Sequence, residues 1–185
     1  MVCIASLVAE TDVGIHKTNV CLLLYQSLFL STMLFNSQTW SNLRKNDLEQ
    51  LRIIQSKFLK KIIGVPNSAC SAFTYLELGV IPMEYEIHKR QIKYLQRILQ
   101  LEGGDPVREV FMFQMHQRQN GIMENNWWSD VSELMVRYEI DCSLEEIRTM
   151  TKEQFKKLVN TKVENVAFLD LISQCKGKKK TQDLE

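Results

Sequence analysis

Lysines and arginines recur at the spacing of a helical turn on two predicted helices, and they are the residues of this sequence best suited to chemistry. The first set lies between residues 47 and 63 and consists of Arg52, Lys57, Lys60 and Lys61. The second set lies between residues 83 and 101 and consists of Lys89, Arg90, Lys93 and Arg97. Cations one turn apart can contact successive backbone phosphates, which indicates salt-sensitive nucleic-acid binding without base recognition. Charge that only keeps a helix face solvated is the alternative, and the spacing leaves both open.

The remaining polar residues do not indicate other chemistry. His16, His88 and His116 lie far apart, and none has a second ligand at the spacing of a metal site. Gly103-Gly104 lacks the Lys and the Ser or Thr of a phosphate loop. We therefore expect no metal site, no cofactor, no small-molecule substrate and no catalysis by this chain. The five scattered cysteines form no Cys-x-x-Cys pair, which indicates a reducing intracellular compartment, nuclear or cytoplasmic.

An all-helical fold is predicted by the composition. The chain has only 7 Gly and 3 Pro among 185 residues, and its apolar residues show almost no alternation of period two. Its most apolar stretch, residues 20–35, falls short of the ~20 residues that span a membrane. This stretch also contains Gln26, Ser27 and Ser31. We therefore expect a buried core helix there and no membrane partner.

Capping residues divide the chain into successive helices. Thr18 or Asn19 is expected to cap a first helix that runs to about Phe35, and Asn46 or Asp47 a second helix that stops at Gly64. The apolar side of this second helix consists of Leu48, Leu51, Ile54, Phe58 and Ile62. Further helices are expected at 69–78, from Pro82, from Asp105, from Asn126, and after the capping boxes Ser143–Glu146 and Thr151–Gln154.

Three motifs then occur in a recognisable order. They read Phe35-Asn36-Ser37-Gln38-Thr39-Trp40, Gln55 to Pro66 with the ending Gly-Val-Pro, and Glu77-Leu78-Gly79-Val80-Ile81-Pro82. This order resembles the segment after the catalytic palm in reverse transcriptases of LINE-like, non-LTR retrotransposons. Asn36 and Gln38 stand where the wider family has Gly and Glu, and the Tyr-x-Asp-Asp motif of the palm is absent. The segments 125–131 and 175–181 are similar to the linker of the branch that carries a restriction-like endonuclease.

The resemblance implies a domain organisation. Residues 18–102 would form a thumb-like helical bundle and residues 105–175 a smaller helical linker subdomain. Residues 1–17 would be a remnant of the palm or disordered. The charged residues 176–185 would form a flexible basic tail.

The resemblance also implies a non-catalytic role. The bundle would grip an RNA or DNA template-primer duplex by its backbone and would pack against the missing palm domain. Its intact parent would be an RNA-directed DNA polymerase, and Mg²⁺ is expected only in that parent. The alternative is a stand-alone helical module, derived from a retroelement, that binds a protein through exposed Phe111, Trp127 or Trp128.

Overall fold

The computed structural model describes the backbone of residues 14–122 and 125–182, and every regular element in these residues is a helix. This confirms the all-α prediction. Helix α1 joins Gly14–Leu24, a π-helical segment Tyr25–Leu30 and a last turn Ser31–Met33. A 3₁₀ turn at Ser37–Thr39 follows. The other helices are α2 (Lys45–Ile63), α3 (Ser71–Leu78), α4 (Met83–Leu99), α5 (Pro106–Gln119), α6 (Trp127–Arg137), α7 (Leu144–Thr149) and α8 (Lys152–Gln182).

Side-chain caps begin several helices where the sequence predicts them. The Asp105 Oδ1 atom accepts a hydrogen bond from the Val107 amide at 2.8 Å, and the Asn126 Oδ1 atom accepts one from the Ser129 amide at 2.8 Å. Both capping boxes form: Glu146 accepts from the Ser143 amide at 2.7 Å, and Gln154 accepts from the Thr151 amide at 3.1 Å. Such caps satisfy amide groups that have no partner inside the helix.

Three helices extend beyond their predicted limits. Helix α2 begins at Lys45, so Asn46 and Asp47 lie in its first turn instead of capping it. Helix α1 is already formed at Gly14, so Thr18 and Asn19 lie inside it instead of capping it. Helix α8 continues through Gln182, so the tail predicted from residue 176 begins as helix. Lysine and threonine are tolerated within helices at less than about 0.7 kcal/mol each, so charge alone does not end one. Residues 1–13 lie outside the described residues, so the prediction of a palm remnant or disorder there is untested. The last residues of the predicted tail, 183–185, also lie outside the described residues.

Two clusters of buried side chains form the core. The first lies among α1, α2, α3 and α4 and includes Tyr25, Phe29, Leu59, Tyr75 and Ile87. The second lies among α4, α5, α6, α7 and α8 and includes Leu95, Phe111, Val131, Phe155 and Val163. Helix α4 supplies residues to both clusters, and so does α8, whose Leu171 belongs to the first. The division into a bundle and a linker subdomain near residue 102 stays a prediction.

Helix α1 is buried on one face only, which corrects the expectation of a core helix. Tyr25, Phe29 and Leu34 are buried, and the Phe29 ring stacks on Phe58 of α2 at 4.6 Å between centroids. Other positions of α1 and of the turn after it expose apolar residues: Val20, Leu23, Leu28 and Phe35. A helix at the edge of a bundle has neighbours on one side, so its apolar residues cannot all be covered. No helix among the described residues is long and apolar enough to cross a membrane.

The buried surface of α2 also differs from its predicted apolar side. Four of the predicted residues pack at the edge of the core, but Ile54 does not and is 36 % exposed. Gln55 is fully buried instead, and its amide group donates to the Tyr25 hydroxyl at 2.6 Å and to the Ile81 carbonyl at 2.9 Å. Its carbonyl oxygen accepts from the Met83 amide at 2.8 Å. This polar side chain therefore anchors the start of α4 to α2.

Candidate nucleic-acid interface

Two of the predicted phosphate contacts on α2 lie open on the surface. Lys57 and Lys61 are exposed and stand one turn apart near the end of the helix. Neither side chain has a hydrogen bond or an ion pair with any residue that the structure describes. Both ammonium groups are therefore available to an anion approaching from solvent.

The other two predicted contacts on α2 are held by the protein itself. Lys60 is buried, and its Nζ atom donates to the Asn67 carbonyl at 2.8 Å. The Arg52 guanidinium is partly exposed and donates to Gln174 Oε1 on α8 at 2.6 Å. The Lys60 bond joins α2 to the following loop, and the Arg52 bond joins α2 to α8. These two cations therefore differ from Lys57 and Lys61, which have no such bonds.

Helix α4 uses its first two predicted cations as internal ties. Lys89 is 6 % exposed, and its Nζ atom lies 2.8 Å from Glu86 Oε1 and 3.0 Å from Glu164 Oε1 on α8. The Arg90 guanidinium is partly buried and donates to the Leu34 carbonyl at 2.8 Å, near the end of α1. Both cations therefore contact the protein itself, unlike Lys57 and Lys61.

The last two predicted cations on α4 remain without an internal partner. Lys93 is partly buried and Arg97 is exposed one turn later. Burial, followed by the repulsion of Lys89, lowers the pKa of the Lys93 amine to about 8. Neither residue has a hydrogen bond or ion pair within the described part of the chain. Four of the eight predicted residues therefore contact the protein itself, and the other four have no partner among the described residues. Those four lie in two open places: Lys57 and Lys61 on α2, and Lys93 and Arg97 at the end of α4.

A lysine of α8 acts on Lys93 at the end of α4, and the sequence did not predict it. Lys156 is exposed, and its positive charge contributes to the lowered pKa of Lys93. The available signal was that Lys152 and Lys156 flank the apolar stripe of α8 one turn apart. That signal does not say which helix α8 packs against, so the sequence alone could not join Lys156 to α4.

His88 is a buried histidine with a hydrogen-bond partner on another helix. Its Nδ1 atom lies 2.6 Å from the Tyr138 hydroxyl, and burial, followed by the charge of Arg137, lowers the pKa of the imidazole to about 3. The ring is therefore neutral at physiological pH. It faces a cleft of about 590 Å³ whose other ionisable residues are Arg44, Arg137, Asp130 and Glu133. Two cations balance two acids there, so this cleft does not select an anion.

The described residues also include no group of three or more His, Cys, Asp or Glu side chains that could hold a metal ion.

No protein-family model, no curated protein and no solved structure matches this chain. The resemblance to LINE-like reverse transcriptases therefore depends on the three ordered motifs and on what those residues do in the fold, and it stays a prediction.

Proposed function

We propose that this chain is the thumb-like and linker part of a LINE-like, non-LTR retrotransposon reverse transcriptase and that it grips template-primer nucleic acid by its backbone. In this role the chain binds an RNA or DNA duplex and packs against the palm domain of its parent. The chain performs no catalysis itself. Its parent is an RNA-directed DNA polymerase, and the divalent metal belongs to that parent.

The observation that carries the proposal is the exposed pair Lys57 and Lys61, one turn apart at the end of α2 and without internal partners. Two ammonium groups at this spacing suit neighbouring phosphates of one strand and carry no base information. Lys60, between them in sequence, points into the protein and donates to the Asn67 carbonyl. The exposed pair is therefore a face of the helix and not a general excess of charge.

A turn in the first motif adds support for the resemblance. Asn36 has a φ of 57°, which is the left-handed conformation. Glycine adopts this conformation at no steric cost, and asparagine is among the few other residues that tolerate it. The replacement of the family's glycine by Asn36 is therefore compatible with an unchanged turn. The carbonyl of the other replaced residue, Gln38, accepts a hydrogen bond from the Trp127 indole at 2.8 Å, a bond that does not depend on its side chain.

The test is duplex binding as a function of salt. A labelled RNA–DNA hybrid is titrated with the chain and with the double variant Lys57→Gln/Lys61→Gln, and anisotropy is recorded at several salt concentrations. Loss of two phosphate contacts should lower the slope of log affinity against log salt by about two units. The matched control is Lys45→Gln, an exposed lysine at the other end of α2, which should leave the slope unchanged. Equal slopes for all three proteins would assign these lysines to solubility.

A stand-alone protein-interaction module is the second candidate, and a different surface favours it. Phe111 and Trp127 are buried, which corrects the expectation that they form an exposed face, and Trp128 is partly buried. The exposed apolar residues of α1 and of the turn after it remain: Val20, Leu23, Leu28 and Phe35. Association of the chain with a protein that persists at high salt, together with no duplex binding, would favour this candidate.

A further inference from the structure

A cleft lies between α4 and α6, next to the segment that joins α1 to α2. Its volume is about 590 Å³, which is within the range of roughly 300–1,000 Å³ that small-ligand sites occupy. The connecting segment is tied to both helices. The Gln91 amide group of α4 donates to the Trp40 carbonyl at 2.6 Å, and the Asn42 backbone amide donates to Asp130 Oδ2 of α6 at 2.8 Å. These two bonds hold the walls of the cleft in place before any ligand binds.

A histidine of α4 lines the cleft and has one nitrogen to spare. His88 is 7 % exposed, and its Nδ1 atom lies 2.6 Å from the Tyr138 hydroxyl. Burial raises the pKa of this hydroxyl, so it keeps its proton and donates it to Nδ1, the acceptor that the described residues offer. The proton of the neutral imidazole is therefore on Nε2. Nε2 has no partner among the described residues and is not one of their fully enclosed atoms, so it offers a hydrogen-bond donor to the cleft.

Gln91 lies one turn after His88 on α4 and offers an acceptor. It lines the same cleft and is 3 % exposed. Its amide nitrogen donates to the Trp40 carbonyl, which fixes the orientation of the side chain and leaves Oε1 unused by the described residues. This oxygen is not fully enclosed either. Two buried side chains therefore present a donor and an acceptor one helical turn apart.

Asp130 of α6 adds a second acceptor. Its Oδ2 atom accepts from the Asn42 amide, and its Oδ1 atom makes no hydrogen bond with a described residue. Asn42 and Trp40, which hold Asp130 and Gln91, are only two positions apart in the connecting segment. The side chains of Asp130 and Gln91 are therefore neighbours in the cleft.

The packing of α4 against α6 sets the order of the three groups. Glu84 at the start of α4 pairs with Arg137 at the end of α6, at 3.3 Å. Tyr94, further along α4, contacts Trp127 at the start of α6, at 5.8 Å between ring centroids. The helices are therefore antiparallel, and the start of α6 lies beside the later part of α4. The order along the cleft is a donor followed by two acceptors: His88, Gln91 and Asp130.

This order is complementary to one nucleobase. The matching edge must carry an acceptor followed by two donors, and guanine has O6, N1–H and the N2 amine in that order on its Watson–Crick edge. Adenine and cytosine do not supply two neighbouring donors there, and uracil has an acceptor where the second donor is needed. The charges that line the cleft balance, which suits a neutral base better than a phosphate. Three leucines supply apolar surface for the faces of the ring: Leu43, Leu48 and Leu134.

We propose that this cleft binds an unpaired guanine base, which accepts a hydrogen bond from His88 and donates to Gln91 and Asp130. Proteins read unpaired bases along this edge because no partner strand covers it. That the base belongs to a nucleic-acid strand rests on the function proposed above. Lys57 and Lys61 then contact the backbone at any sequence, and the cleft adds a preference at one unpaired position.

The first experiment uses free nucleosides, which carry no phosphate, and follows the His88 ring nitrogens by NMR. The ring is assigned by comparison with His88→Gln. Guanosine should shift the Nε2 resonance, and inosine, which lacks the N2 amine, should bind about ten-fold more weakly. Adenosine, cytidine and uridine at the same concentration should leave the resonance in place. No shift with guanosine, or equal shifts with all five nucleosides, would overturn the site.

The variant Asp130→Asn tests the third contact. Its side-chain oxygen can still accept from the Asn42 amide, and its amine then faces the N2 amine of guanine. Guanosine should therefore bind this variant about ten-fold more weakly than it binds the original chain, and no better than inosine does. The matched control is Asp141→Asn, at an exposed position outside the cleft, which should bind both nucleosides as the original chain does. Thermal unfolding verifies that both variants are folded, and a retained preference for guanosine in Asp130→Asn would overturn the assignment.

The second experiment uses two labelled RNA–DNA hybrids that differ in one unpaired base of the RNA strand, guanine or adenine. The original chain should bind the guanine hybrid about ten-fold more tightly, with the same salt slope for both because their phosphates are the same. Asp130→Asn should bind the two hybrids alike. Hybrid binding with no preference and no guanosine shift would overturn the cleft site and leave the proposed function standing. Guanosine binding without any hybrid binding would retain the site and reject the proposed function, and the absence of both would reject both.

Discussion

Helices α2 and α4 carry lysines and arginines in the same pattern, and the fold treats the two sets differently. On α2, Lys57 and Lys61 are exposed without internal partners. On α4, Lys89 is buried between two glutamates, and Arg90 donates to the Leu34 backbone carbonyl just after α1. Helix α4 contributes to both core clusters, whereas α2 contributes only to the first.

The difference shows that the spacing of cations on a helix does not determine whether they face solvent or the protein. A helix surrounded by others must bury some of its polar positions, and its long basic side chains then pair with acids or carbonyls of the neighbours. A helix at the edge leaves the same positions free. The number of packed neighbours, which the sequence of one helix does not contain, decides between an internal tie and a binding surface.

The largest effect that separates the two helices is expected on stability. Lys89→Met leaves Glu86 and Glu164 facing each other without their shared cation, and it should lower the free energy of unfolding by about 2–3 kcal/mol. The estimate is below that for a fully buried pair because Glu164 is partly exposed to solvent. Lys57→Met on α2 should change the free energy of unfolding by less than about 0.5 kcal/mol. Urea unfolding of both variants measures the two changes in the free energy of unfolding. Equal losses would show that the cations of α2 and α4 do not differ in their contribution to stability.

His88 extends the comparison to pH. Its pKa is about 3 in the folded protein, below the ordinary 6.5, so between these values the unfolded chain binds a proton that the folded chain does not. Stability should therefore fall as pH falls from 6.5, with a limiting slope of about 1.4 kcal/mol per pH unit. Denaturant unfolding between pH 6.5 and 5 measures the slope before most carboxylates titrate. His88→Gln should flatten it, and an unchanged slope in that variant would place the effect elsewhere.

Lys60 is a buried cation on the edge helix α2, so it tests the comparison of α2 with α4 directly. The loss of stability expected from its replacement is smaller than that expected for Lys89→Met. Its Nζ atom donates to the carbonyl of Asn67, and Asn67 is itself exposed. Lys60→Met should therefore cost about 1 kcal/mol, since the carbonyl that loses its donor can be hydrated. A loss as large as that of Lys89→Met would show that burial alone, and not pairing with acids, sets the cost.

Local rules predicted much of the architecture. Composition and periodicity predict an all-helical chain, and the caps at Asp105, Asn126, Ser143 and Thr151 begin helices at the expected residues. Gly64 and Gly79 end α2 and α3 in the left-handed conformation, with φ of 80° and 61°. These features depend on groups a few residues apart, so one segment contains all the information needed. The starts of α1 and α2 were missed because a residue that can cap a helix is also tolerated inside one. The end of α8 was missed because charged residues alone do not end a helix.

The sequence by itself determined the positions of the helices, the spacing of the cations and the motifs that resemble a reverse transcriptase. Only the tertiary structure decided that Lys60 and Lys89 point inward, that Gln55 is buried and that Trp127 belongs to the core. It also decided that the charge of Lys156 on α8 acts on the Lys93 amine of α4, which is far away in sequence. The physical reason is that burial and pairing depend on which faces of distant helices meet, and that choice minimises the free energy of the whole packed chain and not of any one segment.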